Sequence, residues 1–357
     1  MSHPLDITAE KILKEFATPE SRFMLQNFTP PAHVGEAQAL YYQAKEAGHQ
    51  SASLLKLKIQ IFQFLMGGLR DFDQAAGVLK DILTDLEQGV TLDPYDTALL
   101  KINQGFFESC TSLNWEEAIR YMREGLEILD TLENHEDEKL RAIVNLIQYH
   151  CMQGELEKAA AYVKRGEDLC AHVQGTIYPC FFFYAQSLFL NDQGKFDEAL
   201  RVLEKTKDYP ALEVGHPAIT HAIAFQRIWA LLRQEKWQDA LDGVEAAEGP
   251  VKQFYRDRPN PAMAHLSLLK GLILTHQKGA TPEAFQCLAE AETFYHAQEN
   301  HRNPARLHFA LGEYYKAQGD LEKARAEYQR SEAIYRALLK VYAGSDIEML
   351  SQALAQV

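Results

Sequence analysis

The sequence predicts an all-α solenoid of about seven helix pairs, with further helices capping both ends. Two observations lead to this prediction: a short alanine-containing block recurs at intervals of 40 to 44 residues, and turn residues precede most copies. Apolar helical stretches lie on both sides of each block. A chain of 357 residues with 46% hydrophobic and 24% charged residues has enough apolar material for such an array.

The recurring block begins with an aromatic residue or leucine in most copies, has alanine three positions later, and has a large apolar residue four positions after the alanine. Its alanines are Ala75, Ala118, Ala159, Ala199, Ala240, Ala284 and Ala324, at spacings of 43, 41, 40, 41, 44 and 40. A small residue at the closest approach of two antiparallel helices lets their backbones come near, and the larger residue fills the space one turn later. Each block therefore predicts the second helix of a pair.

Turn and capping residues agree with this assignment. Four copies are preceded by a glycine: Gly154, Gly194, Gly279 and Gly319. Asn114 is placed to cap the helix of its block, with Glu117 at the reciprocal position of a capping box. Thr281 precedes Pro282, and proline suits the first turn of a helix.

Further helices are predicted outside the repeats, over Thr8–Phe16, Pro31–Ala47 and Ser345–Ala355. The predicted organisation is N-terminal capping helices over 1–50, one continuous solenoid over 51–342 and a C-terminal capping helix over 343–357. Solenoid ends expose an apolar face, so capping is the favoured role. Covering a groove in trans, or dimerisation, is the alternative.

These blocks resemble tetratricopeptide repeats, and the C-terminal copy matches best, with Leu311, Gly312, Tyr315, Gly319, Leu321, Ala324 and Tyr328 at the family's spacing. The repeat length exceeds the family's usual ~34 residues and resembles the long-helix variety of kinesin light chains, the maltose-regulator sensor domain and bacterial peptide-sensing regulators. The resemblance covers about residues 51–342. It implies a right-handed superhelical solenoid and is nearly silent on function.

Residue patterns for catalysis or metal binding are not found. The phosphate-loop, dinucleotide, zinc-protease and nucleophile-elbow motifs do not occur, and the 13 histidines do not cluster. The five cysteines include no C-x-x-C pair, which predicts buried free thiols in a reducing compartment. We therefore expect no catalytic residue, no metal and no cofactor.

The charge balance argues against two classes of partner. The 36 basic and 50 acidic residues give a net charge of −14 without a dense basic run, which disfavours nucleic acid and anionic membranes. No stretch has the ~18 uncharged apolar residues of a membrane span, and the N-terminus lacks the apolar core of a signal peptide. The chain is predicted to be cytoplasmic.

The resemblance implies that the first helix of each pair lines a concave face. Counting back from each alanine predicts a groove formed by Phe64, Asn103, Phe107, Gln148, Tyr184, Leu188, Phe225, Trp229 and Phe309. Aromatic side chains of this kind suit a peptide, an extended segment or a partner helix. Alternatively, the same side chains pack against neighbouring helices as core.

Two further sets of residues bear on the binding of acidic partners. The family's clamp for an acidic C-terminal peptide is disfavoured because Asn103, Arg141, Asn191 and Arg233 are scattered along the chain. Residues 249–261 form a basic segment between repeats, and Lys252, Arg256 and Arg258 are candidate accessory contacts. A solvated loop fixed by prolines is the favoured interpretation of that segment.

The sequence therefore predicts a non-enzymatic adaptor that binds a protein or peptide partner. Two alternatives remain: a peptide-sensing regulator acting on a phosphorelay or transcription partner, and a stable subunit of a larger assembly.

Overall fold

The computed structural model describes residues 3–17, 33–66, 71–112, 114–173, 177–208, 217–255, 261–295 and 302–357. Within these ranges the secondary structure consists of seventeen α-helices and one short 3₁₀ helix, with no β-strand. The predicted all-α class is confirmed. The chain forms two compact units, 1–145 and 146–357, and the division falls within one helix.

Within the described ranges, two helices precede the repeats and one follows them. They are α1 (Pro4–Phe16), α2 (His33–Glu46) and, at the C-terminus, α17 (Ser345–Leu354). The predicted spans differ from these bounds by a few residues, and Pro31 lies outside the described residues.

Between them the chain forms the seven predicted helix pairs. The pairs are α3 (Ala52–Phe64) with α4 (Phe72–Glu87), α5 (Pro94–Thr111) with α6 (Trp115–Asp130), α7 (Glu136–Met152) with α8 (Leu156–Cys170), α9 (Tyr178–Asp192) with α10 (Phe196–Glu204), α11 (Pro217–Arg233) with α12 (Trp237–Tyr255), α13 (Pro261–Lys278) with α14 (Pro282–Tyr295), and α15 (Arg302–Gln318) with α16 (Leu321–Leu338). The 3₁₀ helix Lys205–Asp208 follows α10.

The repeat alanines lie where the two helices of a pair come closest. All seven are 0% exposed. Glycine on the first helix faces the second helix in three pairs: a Cβ on Gly105 would lie 2.8 Å from the carbonyl oxygen of Ala118, and one on Gly312 would lie 2.3 Å from the ring of Tyr328. Gly271 faces Leu288 in the same way. The small residues therefore permit backbone contact within each pair, as the periodicity predicts.

The predicted caps are also present. The side-chain oxygen of Asn114 accepts a hydrogen bond from the Glu117 amide at 3.2 Å, and Thr281 accepts one from the Ala284 amide at 3.2 Å. The Glu117 side chain pairs with Arg120 instead of completing the capping box. The four glycines of the predicted turns have φ between 73° and 85°, a left-handed conformation that glycine adopts without steric cost.

The prediction of a loop over residues 249–261 was wrong in its first half. Helix α12 continues through Gly249 to Tyr255, with Pro250 inside it. A proline within a helix costs ~3 kcal/mol because it removes a hydrogen bond and crowds the preceding turn. Two contacts offset that cost: Val251 is only 5% exposed in the core of the second unit, and Lys252 pairs with Glu248 one turn earlier at 3.4 Å.

Candidate functional site

Most of the predicted groove residues are buried by the chain itself. The buried ones are Phe64, Asn103, Leu188, Phe225, Trp229 and Phe309. Phe107, Gln148 and Tyr184 are partly exposed. The first helices of the pairs therefore present a mostly closed face, and Tyr184 is the predicted aromatic groove residue of the second unit that is partly exposed.

Two aromatic rings of α11 lie against one guanidinium of the second unit. Arg306 of α15 is 5% exposed, and its guanidinium carbon lies 4.1 Å from the centre of the Trp229 ring and 5.9 Å from that of Phe225. A desolvated guanidinium over an aromatic face is a favourable cation–π contact. Burial raises the pKa of Tyr184 to about 12, although the charge of Arg306 acts in the opposite direction.

Histidine and tyrosine rings extend this cluster. His265 of α13 lies 4.4 Å from Phe225, 6.1 Å from His221 and 5.8 Å from Tyr295, measured between ring centres. Burial lowers the pKa of His221 to about 4, so its ring is neutral near pH 7. Among the described residues, Tyr295 Oη and His221 Nε2 are buried without a hydrogen-bond partner. We call Tyr184, Phe225, Trp229, His221, His265 and Tyr295, grouped around Arg306, the aromatic cluster.

Beside the aromatic cluster lies a buried set of charged residues, which we call the arginine cluster: Arg233, Arg302, Arg306, Asp192, Asp346 and Tyr335. Arg302 Nη1 donates to Asp192 Oδ2 at 2.7 Å, and Arg306 Nε donates to Asp346 Oδ2 at 2.9 Å. Tyr335 Oη also donates to Asp346 Oδ2 at 2.9 Å. Arg233 Nη1 is 3.6 Å from Asp346 Oδ1.

The two carboxyl groups of the arginine cluster differ in their electrostatic environment. Burial alone would raise the pKa of Asp346, but the guanidinium groups of Arg306, Arg302 and Arg233 hold it below its ordinary value. Burial raises the pKa of Asp192 by more than Arg302 lowers it. Charged groups this deep are costly unless they are paired. Asp346 is thus the more strongly bound carboxylate.

The C-terminal segment, residues 339–354, contacts the ends of three helices of the second unit. The amides of Lys340 and Val341 donate to the carbonyl oxygen of Gln153, just beyond α7, at 2.9 and 3.2 Å. Ser345 Oγ donates to the carbonyl oxygen of Asn191 at 2.8 Å, at the end of α9. Arg233, the last residue of α11, donates to the Ser345 carbonyl at 3.1 Å.

Sequence reasoning missed the arginine cluster. It treated Asn191 and Arg233 as too scattered to act together, yet both contact Ser345. One signal in the sequence is the i, i+4 pair Arg302 and Arg306, which places two guanidinium groups on the same face of a helix that also carries apolar residues.

The predicted accessory contacts are only partly described. Lys252 is exposed on α12, while Arg256 and Arg258 lie outside the described residues. Nowhere in the described ranges do three or more His, Cys, Asp or Glu side chains group closely enough to hold a metal ion. No α-helix in the described part of the chain is long and apolar enough to cross a membrane.

Comparison with known proteins supports the repeat assignment. The family model for the tetratricopeptide repeat matches residues 305–330, in the last helix pair. A search by sequence among curated proteins found no match.

Solved structures of similar fold extend over nearly the whole chain. A Rap protein complexed with competence and sporulation factor aligns with a TM-score of 0.68 at 14% identity, over 99% of this chain and 91% of the other. NprR in complex with its cognate peptide NprX aligns with a TM-score of 0.62 at 11% identity, over 99% of both chains. Aspartyl phosphate phosphatase F from Bacillus subtilis aligns with a TM-score of 0.50 at 11% identity, over 94% and 96%. At these identities the likeness establishes the fold, a solenoid of tetratricopeptide-type helix pairs.

Proposed function

We propose that this chain is a non-enzymatic regulator or adaptor that binds a short peptide or extended segment at the aromatic cluster of its second unit. The observation that best supports this proposal is the stacking of two α11 rings, Phe225 and Trp229, over the guanidinium of Arg306, with His265 of α13 packed against Phe225 and Tyr295. Aromatic and arginine side chains provide most of the energy in peptide recognition, because they offer large contact areas and directed polar groups. Tyr184 is partly exposed, although burial of its hydroxyl raises its pKa, and it is the residue of the cluster that we expect a peptide to contact.

Two unsatisfied polar atoms add to this argument. A buried hydroxyl or ring nitrogen without a partner costs ~1–3 kcal/mol, and Tyr295 Oη and His221 Nε2 are in that state within the described residues. A peptide contributes an N–H and a C=O at every non-proline residue, which are the groups that these enclosed atoms need once the cluster opens.

The similar structures agree with a peptide ligand, since two of them are complexes, one with competence and sporulation factor and one with a cognate peptide. A second candidate is a regulator whose partner is a phosphorylated protein, favoured by the structural likeness to an aspartyl phosphate phosphatase. We assign no catalytic residue to it. The five free cysteines support a reducing, cytoplasmic setting.

The test is a screen of short synthetic peptides for those that raise the thermal midpoint of the full-length protein. The affinity of each hit is then measured by fluorescence anisotropy on the wild type and on Tyr184→Ala. Loss of an aromatic contact of about 2 kcal/mol weakens binding roughly 30-fold. Tyr42→Ala is the matched control, because Tyr42 is 53% exposed in the first unit. A screen without hits, or hits that bind Tyr184→Ala as tightly as wild type, would contradict the proposal.

A further inference from the structure

The C-terminal segment contacts the rest of the second unit as a bound ligand would. Its backbone amides donate to Gln153, its Ser345 hydroxyl donates to Asn191, and its Asp346 carboxylate accepts from Arg306 and Tyr335. The acceptors on Gln153 and Asn191 are carbonyl groups at helix ends, and the Asn191 carbonyl also accepts from the Gly194 amide at 3.0 Å. The segment thus fills a site that the rest of the second unit provides.

The fit of the segment to this site is incomplete. Among the described residues, Asp346 Oδ1 and Arg302 Nε are buried without a hydrogen bond. A cavity of about 10 Å³, lined in part by Asp192, Arg302 and Tyr335, remains next to Asp346. Three guanidinium groups also face two carboxylates in the arginine cluster. Asp346 therefore leaves one of its own oxygens and one guanidinium N–H of the cluster without a hydrogen bond.

The connection to the segment permits movement. Residues 339–344 between α16 and α17 are not helical, and Val341 is 46% exposed. Helix α17 has no side-chain cap at its start, where Gly344 adopts φ 114°. A helix of 10 residues is marginal away from its packing partners. Release of α17 therefore breaks no hydrogen bond within a helix pair, but it exposes Ile347 and Leu350, which are buried in the core of the second unit.

We propose that Arg306, Arg233 and Tyr335 form a carboxylate-binding site whose resident ligand is the chain's own Asp346, and that an acidic residue of an incoming peptide displaces it and releases α17. The inference rests on the proposed function in one respect: the incoming carboxylate belongs to a peptide. It adds the chemistry that the peptide must carry, an Asp or Glu side chain, and a consequence of binding, the exposure of α17.

Competition within the chain determines the measurable affinity. A tethered ligand acts at a high effective concentration, so an external peptide binds the wild type only in the fraction of molecules whose site is open. Weakening the internal ligand raises that fraction. The apparent affinity for an external carboxylate must then increase, which is opposite to the usual effect of removing a buried contact.

The probe is a fluorescein-labelled peptide that copies residues 340–351, with a second peptide carrying Asn at the position of Asp346. Both are titrated by anisotropy against full-length wild type, Asp346→Asn and Glu348→Gln. Glu348 is the matched control, because it is an exposed carboxylate on the same helix. We expect Asp346→Asn to bind the Asp-containing peptide at least about tenfold more tightly than the other two proteins do, and the Asn-containing peptide to bind none of them. Equal affinity across the three proteins, or equal affinity of the two peptides for Asp346→Asn, would overturn the inference.

A second measurement keeps the test decisive where Asp346→Asn folds poorly. Hydrogen exchange of residues 345–354 in the wild type should accelerate when the Asp-containing peptide is present in excess, and should not respond to the Asn-containing peptide. Unchanged exchange with both peptides overturns the inference. If the peptide screen on Tyr184 succeeds while these experiments fail, the carboxylate site is wrong and the proposed function stands. The reverse pattern refutes the aromatic cluster as the binding surface and retains the carboxylate site.

Discussion

Arg302 and Cys151 are 151 residues apart in the sequence, yet the Arg302 guanidinium donates a hydrogen bond to the Cys151 backbone carbonyl. In a linear repeat array each repeat contacts only its neighbours. Here the first turn of α15 meets the end of α7, and the same guanidinium pairs with Asp192 on α9. The last helix pair is therefore joined directly to the third and fourth pairs, within the second unit.

This closure should make a single arginine unusually important for stability. Arg302→Met leaves Asp192 as a buried carboxylate without its cation, and breaking such a pair costs ~3–5 kcal/mol. We expect faster hydrogen exchange in α9 as well as α15, since both lose the contact. Arg325→Met, an exposed arginine on α16, serves as the control. Exchange that accelerates only in α15 would show that the last pair is stabilised by its neighbours alone.

The tight contact within the last helix pair is testable with one methyl group. Gly312→Ala places a Cβ 2.3 Å from the Tyr328 ring, which is fully buried and donates a hydrogen bond to Glu313. Overpacking of this kind costs ~1–3 kcal/mol of unfolding free energy. Gly77→Ala is the contrast, because nothing lies within 4 Å of its added Cβ on α4 and alanine is the better helix former. The midpoint of urea denaturation should be lower than that of the wild type for Gly312→Ala and not for Gly77→Ala. The reverse order would contradict the close-approach model.

Stability of the second unit should depend on pH through His221. Its folded pKa of about 4 lies below the ordinary value of 6.5, so the unfolded chain binds the proton first as the pH falls. The free energy of unfolding is therefore unaffected by His221 above pH 6.5. It falls by about 3 kcal/mol through this residue as the pH declines to 4. His221→Gln should remove that part of the pH dependence in denaturation curves, while the exposed His172→Gln should not. Parallel pH profiles for wild type and His221→Gln would refute the burial effect.

The parts of the fold that depend on neighbouring repeats were predictable from the sequence. Ala118 and Ala324 occur at a fixed period because every pair needs the same close approach, and both are 0% exposed. The arginine cluster has no such periodic signature, since Arg302 meets Asp192, and Arg233 meets Asp346, only after the last pair returns to the earlier ones. Pro250 was misleading for a different reason: its local preference for a turn is outweighed by the burial of Val251, a tertiary effect.

A buried ion pair of the first unit gives the last prediction. Lys58 Nζ lies 2.6 Å from Asp85 Oδ2, with the side chains only 9% and 3% exposed. Asp85→Ala leaves a buried ammonium group without a partner and should destabilise by ~3–5 kcal/mol, whereas Lys58→Met combined with Asp85→Leu should be near neutral because both charges are gone.

The contrasting pair is Lys45 with Asp81, which is also 2.6 Å apart but has a lysine side chain that is 55% exposed. Solvent weakens that attraction, so Lys45→Met should cost ~1 kcal/mol or less, and it leaves the hydrogen bond from Tyr41 to Asp81 in place. Hydrogen exchange of α4 measures all three variants on one helix, because α4 carries both Asp81 and Asp85. Because the two pairs share one distance, a large loss for Asp85→Ala and a small loss for Lys45→Met would assign the difference to burial. Equal losses would mean that burial adds nothing to the Lys58–Asp85 pair.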